Sequence, residues 1–524
     1  MNLPRRTPDE VDRIRAGLAR VALLDIREMR EYRQCHLPGC TPLPRGDLES
    51  RVGRLVPDAA IPIILCGADD LRDELAAGTL RALGYSDVSV LGGGIAAWQR
   101  DQREVATGWG YEGKLLGEQL AAAEAIPSVD VDEVATAIGD SRVLLLDSRT
   151  EAEFLKGHLP GAAWAPPFAN VALAADLCGR YERVFVNCAG RTRSLLMTRL
   201  LRAMGHGNVF AVENGTWAWV HAGHKLERGP GLRLPEPSSA SVAAAQALFH
   251  DRARSIGIGL IAAGDLAAAL HGAAGYIVDI RDVEQFRRGH IPGAFHVEGS
   301  VLQFLAEERF AVRCLPITVV GQGDADAIAA ASLLRELGYG AQVLSGGQPA
   351  WQAAGSACAY GSETWDEPQA AAQELAGIAA WHGTWQEAAA AGRVIVDVRP
   401  LGEFALGHLA GSLNLPLGLL EMQAQARLQG HACLVVADGD ARKAHRGAVR
   451  LRHLGVDAIA LGTDVNALGA ALQEGVDGAE ASLDDAKADV DPFRRRGALR
   501  QSAQESREYL AWEQALAHGT APAR

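Results

Sequence analysis

Four times along the chain a short apolar run ends in Asp-x-Arg and gives way to a stretch whose apolar positions recur every three or four residues. The runs close at Asp25, Asp147, Asp279 and Asp397. A few consecutive Leu, Ile and Val residues predict a strand buried on both faces, and the longer period behind them predicts a turn or two of amphipathic helix. In full the phrases read LLDIREMREYRQCHLPGC (Leu23–Cys40), LLDSRTEAEFLKGHLPGA (Leu145–Ala162), IVDIRDVEQFRRGHIPGA (Ile277–Ala294) and IVDVRPLGEFALGHLAGS (Ile395–Ser412). Each carries Glu or Gln before an aromatic residue, then a His in a turn.

More landmarks follow each phrase in the same order. A second β-rich run comes at Ile61–Leu65, Val184–Asn187, Ile317–Val320 and Leu434–Ala437, then a polar loop, then a helical pattern closing at Gly84, Gly205, Gly338 and Gly455. These glycines fit helix C-caps, where the chain turns left-handed. After another short strand, a Gly or Asn-Gly step precedes Trp98, Trp219 and Trp351 in the first three copies, at a nearly constant distance from the Asp of the phrase. Strand and helix alternating over about 100 residues imply an α/β unit, a mainly parallel sheet flanked by helices, repeated four times in tandem. The expected domains are residues 1–106, 126–228, 256–360 and 376–475, followed by a charged extension, 476–524. Gly- and Pro-rich stretches at Thr107–Leu120 and Arg228–Val242, and a third near Tyr360–Gln373, read as linkers. The extension reads either as a solvated tail or as one amphipathic helix around Ser502–Ala517 docked on a domain.

Length and composition agree with several globular domains. The chain has 524 residues, 48% hydrophobic and 22% charged, and roughly 150 residues per domain suggests three or four cores. No apolar run is long enough to span a membrane, and the N-terminus lacks the apolar stretch of a secretory leader. A formal charge of −13 argues against nucleic acid as a partner. Eight scattered cysteines do not make a disulfide framework and point to a reducing cytoplasm. Cys35 and Cys40 flank His36, but no second cysteine pair follows at metal-binding spacing, so no metal is expected.

Chemistry is expected where a parallel strand hands over to a helix. In the second copy that loop is Cys188-Ala189-Gly190-Arg191-Thr192-Arg193-Ser194. A helix N-terminus, a ring of backbone N–H groups and two guanidinium groups would all favour the Cys188 thiolate, and the same groups could hold an oxyanion. Counting back from the C-cap glycines lands on Gly321 in the third copy and Asp438 in the fourth, so neither offers a thiol. In the first copy Cys66 follows its strand in the loop CGADDLR, where Asp69 and Asp70 would raise the thiol pKa and repel an anion.

Together the phrase, the Cys188 loop and the Gly-x-x-x-Trp ending at Trp219 resemble the rhodanese sulfurtransferase family. The resemblance covers four units up to about residue 475, the last most degraded. It implies that Cys188 accepts a sulfane sulfur as a persulfide, from thiosulfate or a similar donor, and passes it to cyanide or a thiol. It further implies that the N–H groups of Ala189 through Ser194 cradle the outer sulfur, that Arg191 and Arg193 hold the donor's anionic part, and that no cofactor is needed. Asp147, Arg149 and His158 then act as scaffold. Phosphatase relatives need Cys-x5-Arg, whereas Arg193 follows Cys188 after four residues; Cys66-x5-Arg72 meets that count but reads as accidental. Two other roles stay open: a sulfur carrier or scaffold delivering persulfide sulfur to a protein partner, and a redox sensor in which Cys66 or Cys178 resolves an oxidised Cys188.

Overall fold

A computed structural model describes residues 3–17, 20–68, 71–168, 171–232, 234–270, 275–363, 372–373, 375, 378–428, 430–439, 442–490, 499 and 502–518. Four five-stranded sheets follow one another, each with its strands in the spatial order 1-5-4-2-3. In the second sheet these are Ser128–Val129, Val209–Val212, Arg183–Asn187, Val143–Asp147 and Ala163–Trp164, all paired in parallel. The four-fold α/β repeat expected from the sequence is therefore present. Only the two-residue edge strands, such as Ser128–Val129, are too short to leave a pattern.

Strand residues alternate between two apolar layers, as burial on both faces requires. In the second domain Leu144, Leu146, Val184 and Val186 face Met197 and Leu201, while Leu145 and Phe185 face Phe154, Leu159 and Trp219. Gly84, Gly205, Gly338 and Gly455 end their helices with φ of 98, 99, 86 and 80°.

The Asp-x-Arg of each phrase is a buried, two-pronged ion pair. Arg149 donates from Nε to Asp147 Oδ1 at 2.9 Å, from Nη2 to Asp147 Oδ2 at 2.8 Å, and again from Nη2 to the Gly157 carbonyl at 2.7 Å. One guanidinium thus ties the strand end to the turn that carries the His. The pattern recurs with Arg27, Arg281 and Arg399, whose Nη2 groups reach the carbonyls of Cys35, Gly289 and Gly407. The following His stacks on the aromatic four residues earlier, with centroids 3.7–4.0 Å apart in all four domains. His158 also places Nδ1 3.0 Å from the Phe154 carbonyl oxygen.

Two compact units account for the chain. One contains residues 1–109 and 366–501, hence the first and fourth sheets. The other contains residues 110–365 and 502–522, hence the second and third sheets and the C-terminal helix.

One expected linker is not a linker. Residues 111–124 form a helix, Tyr111–Glu124, and its glycines serve close packing rather than flexibility. A Cβ at Gly113 would lie 2.0 Å from the Gln303 carbonyl oxygen, and one at Gly117 would lie 2.8 Å from Thr192 Cγ2. In the second junction the chain turns left-handed at Gly229 and Gly231 (φ 100 and 59°), and the helix Ser239–Ile256 begins within the stretch. Most of the third lies outside the described residues. The charged extension divides between the two units: the helix Leu483–Asp489 packs in the first, where Asp489 accepts from the backbone N–H groups of Arg30 and Gly402. The helix Ala503–Ala515 belongs to the second, so the docked-helix alternative holds for this part.

Removing one member of a buried ion pair strands the other without compensation, which typically costs about 3–5 kcal/mol. Arg149→Ala is expected to lower stability by about that amount in urea unfolding followed by tryptophan fluorescence, while an exposed control such as Arg142→Ala changes it little.

Candidate active site

The loop of the second domain is shaped from behind by the helix Gly215–His221. Its first residues approach so closely that a Cβ at Gly215 would lie 2.2 Å from the Cys188 carbonyl oxygen, and Gly215 has φ +50°. Both facts require glycine. The approach lets Thr216 N–H donate to the Cys188 carbonyl at 2.8 Å and Trp217 N–H to the Ala189 carbonyl at 3.1 Å. Across a planar trans peptide, a carbonyl turned outward points the next N–H the other way. The N–H groups of Ala189 and Gly190 are therefore turned away from the helix Gly215–His221, to the inner side of the loop. Asn187 Nδ2 donates to both Asp147 Oδ2 and Thr216 Oγ1 at 3.1 Å, joining the phrase to the loop.

Cys188 sits at the centre of this loop and is 1% exposed. Its thiol donates to Ser194 Oγ at 3.4 Å. Burial pushes the Cys188 pKa up; the Arg193 guanidinium and the Ser194 hydroxyl and amide oppose this, and the Glu513 carboxylate adds to it. The sequence led us to expect the thiolate to be favoured outright. It did not reveal that the loop is roofed, and desolvation is the largest influence.

The two arginines are already engaged. Arg193 is buried and donates to both oxygens of Glu153, at 2.7 and 2.9 Å. Arg191 donates to both oxygens of Glu118, at 2.7 and 3.1 Å, and to Glu213 at 3.5 Å. Thr192 Oγ1 donates to Glu513 Oε1. Glu118 comes from the helix read as a linker and Glu513 from the C-terminal extension, so neither was a candidate from sequence. Glu153 could have been: in the first two copies the Glu of the phrase occurs with an Arg in the loop, and Arg72 pairs with Glu31 as Arg193 pairs with Glu153.

The roof is the helix Ala503–Ala515. It is held by the Lys114 ammonium, 5.0 Å from the Tyr509 ring and 5.5 Å from the Trp512 ring, by an edge-to-face contact of Tyr509 with Trp217, and by a 2.9 Å hydrogen bond between His221 and Ser506. A Cβ at Gly190 would lie 3.3 Å from Leu510 and 3.4 Å from Glu513 Oε2. Beside the loop opens a cavity of about 400 Å³ whose lining includes Arg191, Ser194, Glu118, Glu213, Leu195 and Ile126.

Strand register identifies the corresponding position in the other domains. Asp147 is opposite Asn187, the residue before Cys188; Asp279 is opposite Val320 and Asp397 opposite Val436, while Leu24 is opposite Leu65. The residues in place of Cys188 are therefore Gly67, Gly321 and Ala437. Their carbonyls confirm it, accepting from Ile95, Gln348 and Val465 as Cys188 accepts from Thr216. This corrects two expectations. Cys66 occupies the strand position of Asn187, so Cys66-x5-Arg72 reflects a one-residue offset and not a longer loop. In the fourth domain the position is Ala437 rather than Asp438. Asp69 and Asp70 lie outside the described residues, but Asp73 stands where Ser194 does. A Cβ at Gly67 would be 1.7 Å from Asp73 Oδ1, so this carboxylate fills the space a thiol would take.

Cys178 lies in the apolar cluster with Leu144 and Met197, its thiol pushed up to about 12 by burial. Among the described residues no group of three or more His, Cys, Asp or Glu could hold a metal ion, and no helix is long and apolar enough to cross a membrane.

The sheet has this strand order and carries a cysteine in the loop at the end of its central strand, an α/β domain of one repeated kind. The family model for the rhodanese-like domain matches residues 7–101, 130–222 and 262–354, together more than half of the sequence. The chain belongs to the rhodanese-like family. Its whole length is similar to a crystal structure of a thiosulfate sulfurtransferase from Pseudomonas aeruginosa, with 25% identity, a TM-score of 0.85 and coverage of 99% of both chains. It is 36% identical over 76 residues to the "Putative sulfur carrier protein YrkF" of Bacillus subtilis, a match that takes in 14% of this chain and 40% of that protein. It is 31% identical over 87 residues to the "Uncharacterized protein YqhL" of Bacillus subtilis, 17% of this chain and 68% of that protein.

Because the thiolate is the reactive form, a raised pKa delays reactivity to higher pH. Alkylation of Cys188 by iodoacetamide, followed by peptide mass spectrometry, is expected to rise through an apparent pKa above the usual value of about 8.5. Gly215→Ala should displace the loop and slow alkylation or sulfur loading of Cys188 by at least about tenfold, since the added methyl overlaps a backbone oxygen that cannot swing away. Circular dichroism is expected to stay native.

Proposed function

We propose that the protein is a sulfurtransferase of the rhodanese type in which Cys188 carries the sulfur. The thiolate attacks the sulfane sulfur of a donor such as thiosulfate; the Cys188 S–S bond forms, the donor's S–S bond breaks, and sulfite leaves with the electron pair. A thiophilic acceptor, cyanide or a cellular thiol, then takes the outer sulfur and regenerates the thiolate.

The observation that carries this reading is the register: of the four loops, only the second has a thiol at the position enclosed by inward-facing amides. Those amides, with the Ser194 hydroxyl and amide, suit a persulfide anion, which needs donors rather than a base. Family membership and the whole-chain likeness to a thiosulfate sulfurtransferase support sulfur transfer in general. In this reading Ala189, Gly190, Thr192 and Ser194 line the sulfur, Arg191 and Arg193 act from within their ion pairs, and the domains with Gly67, Gly321 and Ala437 do not transfer sulfur. All eight cysteines are free thiols, which supports the cytoplasmic reading.

A carrier role, with sulfur passed to a protein thiol, is favoured by one specific observation. Both loop guanidinium groups are already paired with carboxylates, which suits a small inorganic anion less than it suits a thiol.

Intact-protein mass spectrometry tests the central claim. Incubation with thiosulfate should add one sulfur, about 32 Da, to the wild type and to Cys66→Ser but not to Cys188→Ser, and cyanide should remove it. Sulfur on Cys188→Ser would refute the assignment.

A further inference from the structure

The charged side chains around the Cys188 loop do not balance. Arg191 and Arg193 bring two positive charges, and the Lys114 ammonium, against the Tyr509 and Trp512 rings, brings a third. Glu118, Glu213, Glu153 and Glu513 bring four negative ones, the first three in contact with those two arginines. Glu513 is different. It is 2% exposed, its Oε1 accepts from the Thr192 hydroxyl, and among the described residues no cation is in ion-pair contact with it. Its Oε2 is turned to Gly190, in the middle of the loop where an incoming donor must lie.

The helix that brings Glu513 is seated by the Lys114, Trp217 and His221 contacts described above, so the carboxylate is a fixed wall of the site. The cavity beside the loop repeats the pattern. Glu118 and Glu213 line it together with Arg191, Ser194 and Gln514, so a donor entering there meets two carboxylates against one guanidinium that is already paired with them.

We propose, resting on the reading of Cys188 as the sulfur carrier, that Glu513 is a specificity-determining residue of this site: it disfavours dianionic donors and directs the enzyme to organic sulfane-sulfur donors with at most one negative charge, of the thiosulfonate class. The step is the same exchange. The Cys188 thiolate and R–SO2–S⁻ give the Cys188 persulfide and the sulfinate R–SO2⁻; one S–S bond forms, one breaks, and the electron pair leaves on the sulfinate.

Thiosulfate and methanethiosulfonate are the pair of probes, since both offer a terminal sulfur on a sulfonyl centre and differ by one charge. Loading of Cys188 is timed by intact-mass spectrometry in the wild type, Glu513→Gln and Glu513→Asp. Losing Glu513's charge also eases thiolate formation, but that benefit is common to both donors and cancels in their ratio. One charge at about 6 Å in a partly hydrated site corresponds to a factor of about three to ten. The thiosulfate-to-thiosulfonate rate ratio should therefore rise by that factor in Glu513→Gln and much less in Glu513→Asp. In the wild type the ratio should also rise with ionic strength, as screening weakens the repulsion; this holds the test open if Glu513→Gln misfolds. An unchanged ratio in Glu513→Gln, or a ratio that is flat or falls with salt in the wild type, overturns the proposal while leaving sulfur transfer intact. No loading of wild-type Cys188 by either donor overturns the functional reading, and this proposal with it.

Discussion

The buried pair of Asp147 and Arg149 is the interaction on which the rest of the second domain depends. Two oppositely charged groups are removed from water at the end of a central strand, which is tolerable only because nearly every polar atom finds a partner. The guanidinium fixes the turn of the phrase through the Gly157 carbonyl. The carboxylate passes its remaining capacity to Asn187, which in turn orders Thr216, whose N–H holds the Cys188 carbonyl. A charge pair on a neighbouring strand thus orients the peptide of Cys188, the proposed nucleophile. The same pair recurs in the three domains without that thiol, so it is a device of the fold.

Around Cys188 two demands oppose each other. On the proposed reading a persulfide at Cys188 is shielded from water by the roof that the Ala503–Ala515 helix supplies. Yet roofing removes the solvent that stabilises a thiolate, and Glu513 adds a negative charge on the same side. Ser194 and Arg193 offset part of this. Because Arg193 is locked to Glu153 and Arg191 to Glu118, the loop is organised before any substrate arrives. Its guanidinium groups shape the site more than they neutralise a ligand.

The first domain keeps the framework of this loop without its thiol. Its strand register, its helix contact at Ile95 and its Arg72–Glu31 pair all remain. Glycine replaces the thiol and the Asp73 carboxylate occupies the space. The sequence puts a cysteine one residue away, and only the pairing of strands shows that Cys66, directly after the strand Ile63–Leu65, stands where Asn187 does and not where Cys188 does.

Period and spacing in the sequence determined the four α/β repeats, the strand ends at Asp-x-Arg, the C-cap glycines and Cys188 as the candidate nucleophile. These rest on local rules: strand and helix periods, the left-handed freedom of glycine, and a loop at the end of a parallel strand. Tertiary structure alone decided what surrounds that nucleophile. Glycines at 113 and 117 looked like a linker, because a sequence does not distinguish a glycine that must bend from one that must let another chain segment approach. Glu118 and Glu513 are far from Cys188 along the chain and meet it only when two helices pack on its loop. Charge balance and desolvation at a site are sums over everything nearby in space, and no local pattern in the chain records that sum.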